Sequence, residues 1–155
     1  MANSQALCTS FKSEILLGAH QFGSVTLVTR TSLTAPTTDT IKAALYSTAG
    51  SIGAGTTAYS ATNEVSGTGY TAGGVTVTNA TAPTTSGTTA YWTPSASLAW
   101  TTVSIGPTDC VLFYNSTQSN RAISSHTFGA QTVAAANFTL TMPTNGAGTA
   151  LINIA

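Results

Sequence analysis

Apolar and polar residues alternate with a period of two along most of this chain. Val25, Leu27 and Thr29 alternate with Thr26, Val28 and Arg30, and Ile41, Ala43 and Leu45 with Lys42, Ala44 and Tyr46. The same rhythm returns at Val75 and Val77, and at Leu98, Trp100 and Thr102. Phe138, Leu140 and Met142 keep it against Asn137, Thr139 and Thr141, and Ile152 and Ile154 close the chain. Such alternation marks half-buried strands. Residues 110–114 break the rhythm with an unbroken apolar run, which fits a strand covered on both faces. With a further strand over residues 121–128, the pattern predicts about eight strands.

The joints carry turn chemistry: Ala35-Pro36, residues 50–55, residues 83–87, Gly106-Pro107 and residues 145–148. No alternation of strand with helix appears, so a parallel sheet is not expected. Short strands at regular spacing predict an all-β, antiparallel β-sandwich, with a jelly roll as the specific expectation. One helix is predicted near the start, over residues 11–17, with Ser10 as its cap and Gly18 as its stop. Phe11 and Ile15 share one of its faces. A helix this short must dock on something to persist. Residues 1–10 are polar and aperiodic, and read as an N-terminal arm that packs on a neighbouring chain; residues 11–155 read as a single domain.

Composition sharpens this picture. Only 5% of the 155 residues are charged and the formal net charge is zero. Soluble domains carry about 25% charged residues. A surface of Thr, Ser, Ala and Gly desolvates cheaply and gives little self-repulsion, which suits a protein whose surface is covered by other protein. The first 23 residues lack a secretory pattern, and no run is long and apolar enough for a membrane span, so the expectation is cytoplasmic synthesis with Cys8 and Cys110 as free thiols. The triplets at Asn79, Asn115 and Asn137 are chance matches in a Thr-rich chain.

The search for reactive chemistry returns little. Glu14, Asp39, Glu64 and Asp109 lie in four separate elements, with no local acid pair. Asp39 and Asp109 read as turn residues. His20 and His126 show no metal-ligand spacing, although Cys8 and Glu14 precede His20. Neither a nucleophile elbow nor a phosphate loop is present. Lys12, Arg30, Lys42 and Arg121 are scattered and offer no basic stripe for nucleic acid. Tyr59, Tyr70, Tyr91, Trp92 and Trp100 could form a sugar-stacking face, but such residues more often fill a core or an oligomer interface. No enzyme activity, cofactor or metal is expected.

Residues 63–74 are the most distinctive stretch: N-E-V-S-G-T-G-Y-T-A-G-G. The glycines permit positive φ and close backbone approach, and predict an ordered loop. Glu64 is a charge in a charge-poor chain, placed to accept backbone N–H or hydroxyl groups of that loop, with Tyr70 as a large anchor. The loop reads either as an internal Ω-loop or as a contact loop.

The order of motifs has a family likeness. The chain presents K-x-E-I-L-L-G-A-H, then K-A-A-L-Y, then Y-S-A-T-N-E-V-S-G-T-G-Y-T-A-G-G, followed by P-T-T-S-G-T-T-A, W-T-T-V, V-L-F-Y-N and S-S-H-T-F-G. From about Lys12 to Ile154 it resembles small structural proteins of tailed bacteriophages, of the capsid cement or decoration type. The resemblance implies a non-enzymatic virion subunit on the capsid surface. Its partners would be the major capsid protein and its own copies, as a trimer or dimer, with no nucleic acid or membrane. It carries no catalytic residue. Phe11, Glu64, Gly67, Gly69, Tyr70, Gly73 and Gly74 are its candidate interface or loop-shaping residues. The alternative is a tail or head-fibre adhesin that binds host surface glycans through the aromatics.

Overall fold

The computed structural model describes residues 2–16, 20, 22, 37–78 and 82–155. Its elements are β1 (Ala6–Leu7), α1 (Thr9–Leu16), β2 (Ile41–Ser47), β3 (Val75–Thr76), β4 (Thr84–Ser86), β5 (Thr89–Trp92), β6 (Leu98–Asn115), β7 (Arg121–Leu140) and β8 (Ile152–Ile154). They form a five-stranded sheet in the order β1-β7-β6-β2-β3 and a three-stranded sheet in the order β4-β5-β8. Every pairing is antiparallel. The expected all-β, antiparallel architecture is therefore present. The described strands do not establish the jelly-roll connectivity expected from the sequence.

The centre of the large sheet is the most apolar sequence in the chain. Cys110, Val111, Leu112, Phe113 and Tyr114 of β6 are all buried, as the unbroken run predicts, and Ala43 to Tyr46 of β2 are buried beside them. The β2 run is covered on both faces rather than on one, because loops close over the side that its polar positions were expected to expose. Trp92 and Ile152 of the small sheet join the same core as Phe11, so one apolar cluster links both sheets.

The long β6–β7 hairpin carries most of the pairing. Sequence alternation splits it into several short strands with a turn at Gly106-Pro107, whereas β6 runs through that point. Register shifts bracket it, one of them between Ile105 and Thr108. Proline lacks a donor for the ladder and is tolerated in a strand at such irregularities. Positive φ at Thr102, Gly129 and Ala135 marks other irregular points of the ribbon. Their sum is a strong curl. Ten residues of extended strand span about 33 Å, yet the Phe128 and Phe138 rings stand 5.8 Å apart.

The N-terminal segment differs from its expectation. Residues 2–10 do not reach away from the domain. Ala6 and Leu7 pair with Ser125 and Ser124 of β7, Cys8 N–H donates to Ile123 O at 3.0 Å, and Cys8 is fully buried. Asn3 bridges Ser47 O and Asp109 Oδ1 at 3.0 and 2.6 Å and accepts from Ile52 N–H at 2.9 Å. Short polar side chains and backbone make this attachment, so no apolar period announces it. The helix begins at Thr9, which puts Ser10 inside its first turn rather than at its cap. Phe11 is 1% exposed and Ile15 37%, so the shared face is buried only at its start. The expected helix end at Leu17-Gly18, the strand over residues 25–30, the Ala35-Pro36 turn and the Asn79 triplet lie outside the described residues. Missed by the sequence reading were β1, β4 and β5, the last two forming a hairpin around Gly87.

Candidate functional site

Residues 63–74 lie along the open edges of the large sheet. β2 has β3 beside it at Lys42 and Ala43. Further along, the loop takes over: Ser47 N–H donates to Asn63 O and Val65 N–H to Leu45 O, at 2.9 and 3.0 Å. The loop then passes β6, where Ser104 N–H donates to Thr68 O at 2.9 Å. A Cβ on Gly67 would collide with the Ser104 carbonyl, and one on Gly69 would come within 2.6 Å of Thr102 O. On the return, Gly74 sits at φ 68° and a Cβ there would collide with the Ala43 carbonyl. The glycines thus let one backbone lie against two others. The ordered loop with positive-φ glycines, expected from the sequence, is what forms.

Glu64 is the hub. Its Oε2 accepts the Tyr59 hydroxyl at 2.6 Å. Its Oε1 accepts the Tyr70 hydroxyl and the Gly73 N–H, both at 2.8 Å. Tyr70 also accepts Leu45 N–H at 3.0 Å, so a phenol stands in for the strand partner that β2 lacks at that point. Tyr114 donates to Gly73 O at 2.8 Å and stacks on Tyr59, with ring centroids 4.7 Å apart. Tyr46 donates to Ser60 O at 2.6 Å. Charge-assisted bonds to a carboxylate are about twice as strong as neutral ones, and here three converge on one group.

The electrostatics agree. Burial pushes the Tyr46, Tyr59 and Tyr70 phenols above their ordinary range, and the nearby Glu64 carboxylate adds to the effect. Tyr114 is raised to about 12, first by burial and then by Glu64. These phenols are held neutral, as proton donors, and the carboxylate faces them as acceptor. The arrangement is a clamp that fixes loop shape. Its oxygens are engaged with their own chain.

The candidate residues divide accordingly. Glu64, Gly67, Gly69, Tyr70, Gly73 and Gly74 come together in the clamp. Phe11 does not join them; it is buried in its own chain, edge-on to His20 at 4.8 Å and to Phe22 at 5.8 Å. Tyr70 points inward, while Ser66 to Gly69, Thr71 and Ala72 remain exposed above it. Tyr46, Tyr59 and Tyr114 are the members that sequence reasoning missed. The Y-S-A-T-N-E spacing of Tyr59 to Glu64 was the available hint, since a turn there returns Tyr59 to the acid.

Other candidates sit elsewhere. Asp39, read as a turn residue, is buried and accepts from Asn115 Nδ2 at 2.6 Å and Gln118 Nε2 at 3.2 Å. Asn115 in turn accepts the Thr117 and Gln118 N–H groups and closes the β6–β7 turn. His20 Nδ1 lies 3.1 Å from Asn115 Nδ2. His126 lies against Phe113 and Ser124. Among the described residues, no group of three or more His, Cys, Asp or Glu could hold a metal ion, and no helix is long and apolar enough to cross a membrane. Trp92 and Trp100 are buried, and Tyr59 and Tyr70 serve the clamp, so the five aromatics do not share one exposed face. No protein family, curated protein or solved structure matches this chain.

Proposed function

We propose that this chain is a non-enzymatic structural subunit of a virus particle, a cement or decoration protein that binds the outside of a tailed-phage head and stabilises its shell. The observation that carries the reading is the clamped loop. Its exposed crest, at Ser66, Thr68 and Thr71, bears no charge and is held from beneath by Tyr70 and Glu64. A rigid, uncharged crest binds protein with a small ordering cost and without stripping charges of water. The motif resemblance and the 5% charged composition point the same way. A subunit that binds the assembled shell but not free capsid protein stabilises the shell by mass action, and contact with several capsid subunits raises its effective concentration. Its partners are the major capsid protein and its own copies.

The test is sedimentation of purified protein with stripped heads, followed by head melting. The wild type co-sediments at a fixed ratio to the major capsid protein and raises the melting temperature of the heads. Thr68→Glu/Thr71→Glu, which charges the crest alone, loses co-sedimentation and keeps its own melting temperature. Absence of the wild type from the head fraction overturns the reading.

A further inference from the structure

Among the described residues, the outer edge of β7 is covered at one end only. Residues 57–59 lie along its start, where Ala122 N–H donates to Thr57 O and Tyr59 N–H to Asn120 O. β1 covers Ser124 and Ser125. From His126 to Leu140, among the described residues, the β7 backbone bonds to β6 alone. Thr127, Gly129 to Thr132, Ala134 to Asn137 and Thr139 are exposed. A free edge is a template for another strand, and proteins that avoid this place charges or proline on it. Here no Asp, Glu, Lys or Arg follows Arg121, and β7 contains no proline.

The sequence of the edge says which strand fits it. Around Val133 three of six mirror pairs are identical: Thr127 and Thr139, Phe128 and Phe138, and Ala130 and Ala136. Antiparallel pairing of a strand with its own copy sets each residue opposite its mirror position, so at these three pairs like meets like. Irregular positions also lie on both sides of Val133. Positive φ falls at Gly129 on one side of Val133 and at Ala135 on the other. Register shifts against β6 also fall on both sides of Val133, towards Ala136 and towards Gln131, so in a two-fold pair each flank joins an irregular segment of one copy to an irregular segment of the other. The curl is also compatible, because a two-fold axis along the local sheet normal carries a curved sheet into one of the same curvature.

We infer that β7 is a self-pairing edge: two copies of this chain join antiparallel along residues 127–139, about a two-fold axis beside Val133. The joint extends two five-stranded sheets into one and gathers Phe128 and Phe138 of both copies on its flanks. It is an isologous contact, which closes on two subunits. The inference stands apart from the capsid reading, since it concerns the free protein.

The test is mass measurement by light scattering across a concentration series, with circular dichroism as the folding control. The wild type has twice the chain mass of 15.6 kDa. Position 132 of one copy faces position 134 of the other, and both side chains are exposed in the single chain. Thr132→Lys/Ala134→Lys therefore sets lysines against lysines and halves the mass. Thr132→Lys/Ala134→Glu sets lysines against glutamates and keeps the dimer. In a separate variant, Val133→Cys forms an intermolecular disulfide on mild oxidation, while Cys8 and Cys110 remain protected by full burial. A monomeric wild type, a double-lysine variant that stays dimeric, a lysine–glutamate variant that dissociates, or a Val133→Cys protein that does not cross-link overturns the inference.

Discussion

Tyr70 donates its hydroxyl proton to Glu64 Oε1 at 2.8 Å while accepting the Leu45 N–H at 3.0 Å. One phenol therefore serves as donor to a carboxylate and as acceptor for an edge strand. Tyr70→Phe removes both roles and leaves Leu45 N–H without its partner. An orphaned buried donor costs about 1–3 kcal/mol. Glu64→Gln keeps the volume but turns an amide NH₂ toward the donors Tyr59, Tyr70 and Gly73, and should cost about 2 kcal/mol. The two losses should be strongly non-additive, because both remove the same bond. Urea denaturation of the two single variants and the double variant measures this. Additive losses would show that Tyr70 and Glu64 act independently.

The carboxylate hub was legible in the sequence because a lone acid among glycines has few other uses in so uncharged a chain. The central strands were legible because burial on both faces demands an unbroken apolar run, as at Cys110 to Tyr114. The tyrosines of the clamp were not all legible. Tyr46 and Tyr114 reach the loop from strands far away in sequence, and no periodicity encodes such a meeting. The continuity of β6 through Gly106-Pro107 was hidden because local turn chemistry and a strand irregularity use the same residues. The burial of Asp39 was hidden because its partner Asn115 is 76 positions away.

Gly74 tests the close approach of the loop to β2. Gly74→Ala places a methyl group against the Ala43 carbonyl at φ 68°. The left-handed conformation alone costs about 1–2 kcal/mol for a residue with a Cβ, and the backbone must also move. A loss of at least about 2 kcal/mol is expected. Gly55→Ala has open space around it and no positive φ, so it should be near neutral. Thermal melts of both variants decide the point. Equal losses would mean that the loop yields freely.

The N-terminal segment packs on its own domain, and Asn3 ties it there through three hydrogen bonds. Asn3→Ala removes the acceptor of Ile52 N–H and the donor to Ser47 O and Asp109. The isolated protein should lose about 1–2 kcal/mol. Deletion of residues 2–8 should cost more, since it also strips β1 from β7 and uncovers the core beneath Cys8. An arm that packs on a neighbouring chain would leave the stability of the isolated subunit unchanged in both cases.

His126 gives the domain an acid limit. Burial lowers its pKa from 6.5 to about 4, and its ring packs on Phe113 with Ser124 Oγ 3.1 Å from Nε2. Above pH 6.5 neither the folded nor the unfolded chain protonates this ring, and its neutral burial costs nothing. Between pH 6.5 and 4 the unfolded chain binds a proton that the folded chain refuses. Stability must therefore fall as pH falls through this window, by up to about 1.4 kcal/mol per pH unit from this residue. Below about pH 4 the folded ring protonates too and the contribution levels off. Denaturation midpoints measured from pH 7 to pH 4 should slope downward for the wild type. His126→Phe cannot charge and should lose this part of the slope whatever its stability at pH 7. A variant that keeps the full slope would assign the acid sensitivity to other groups.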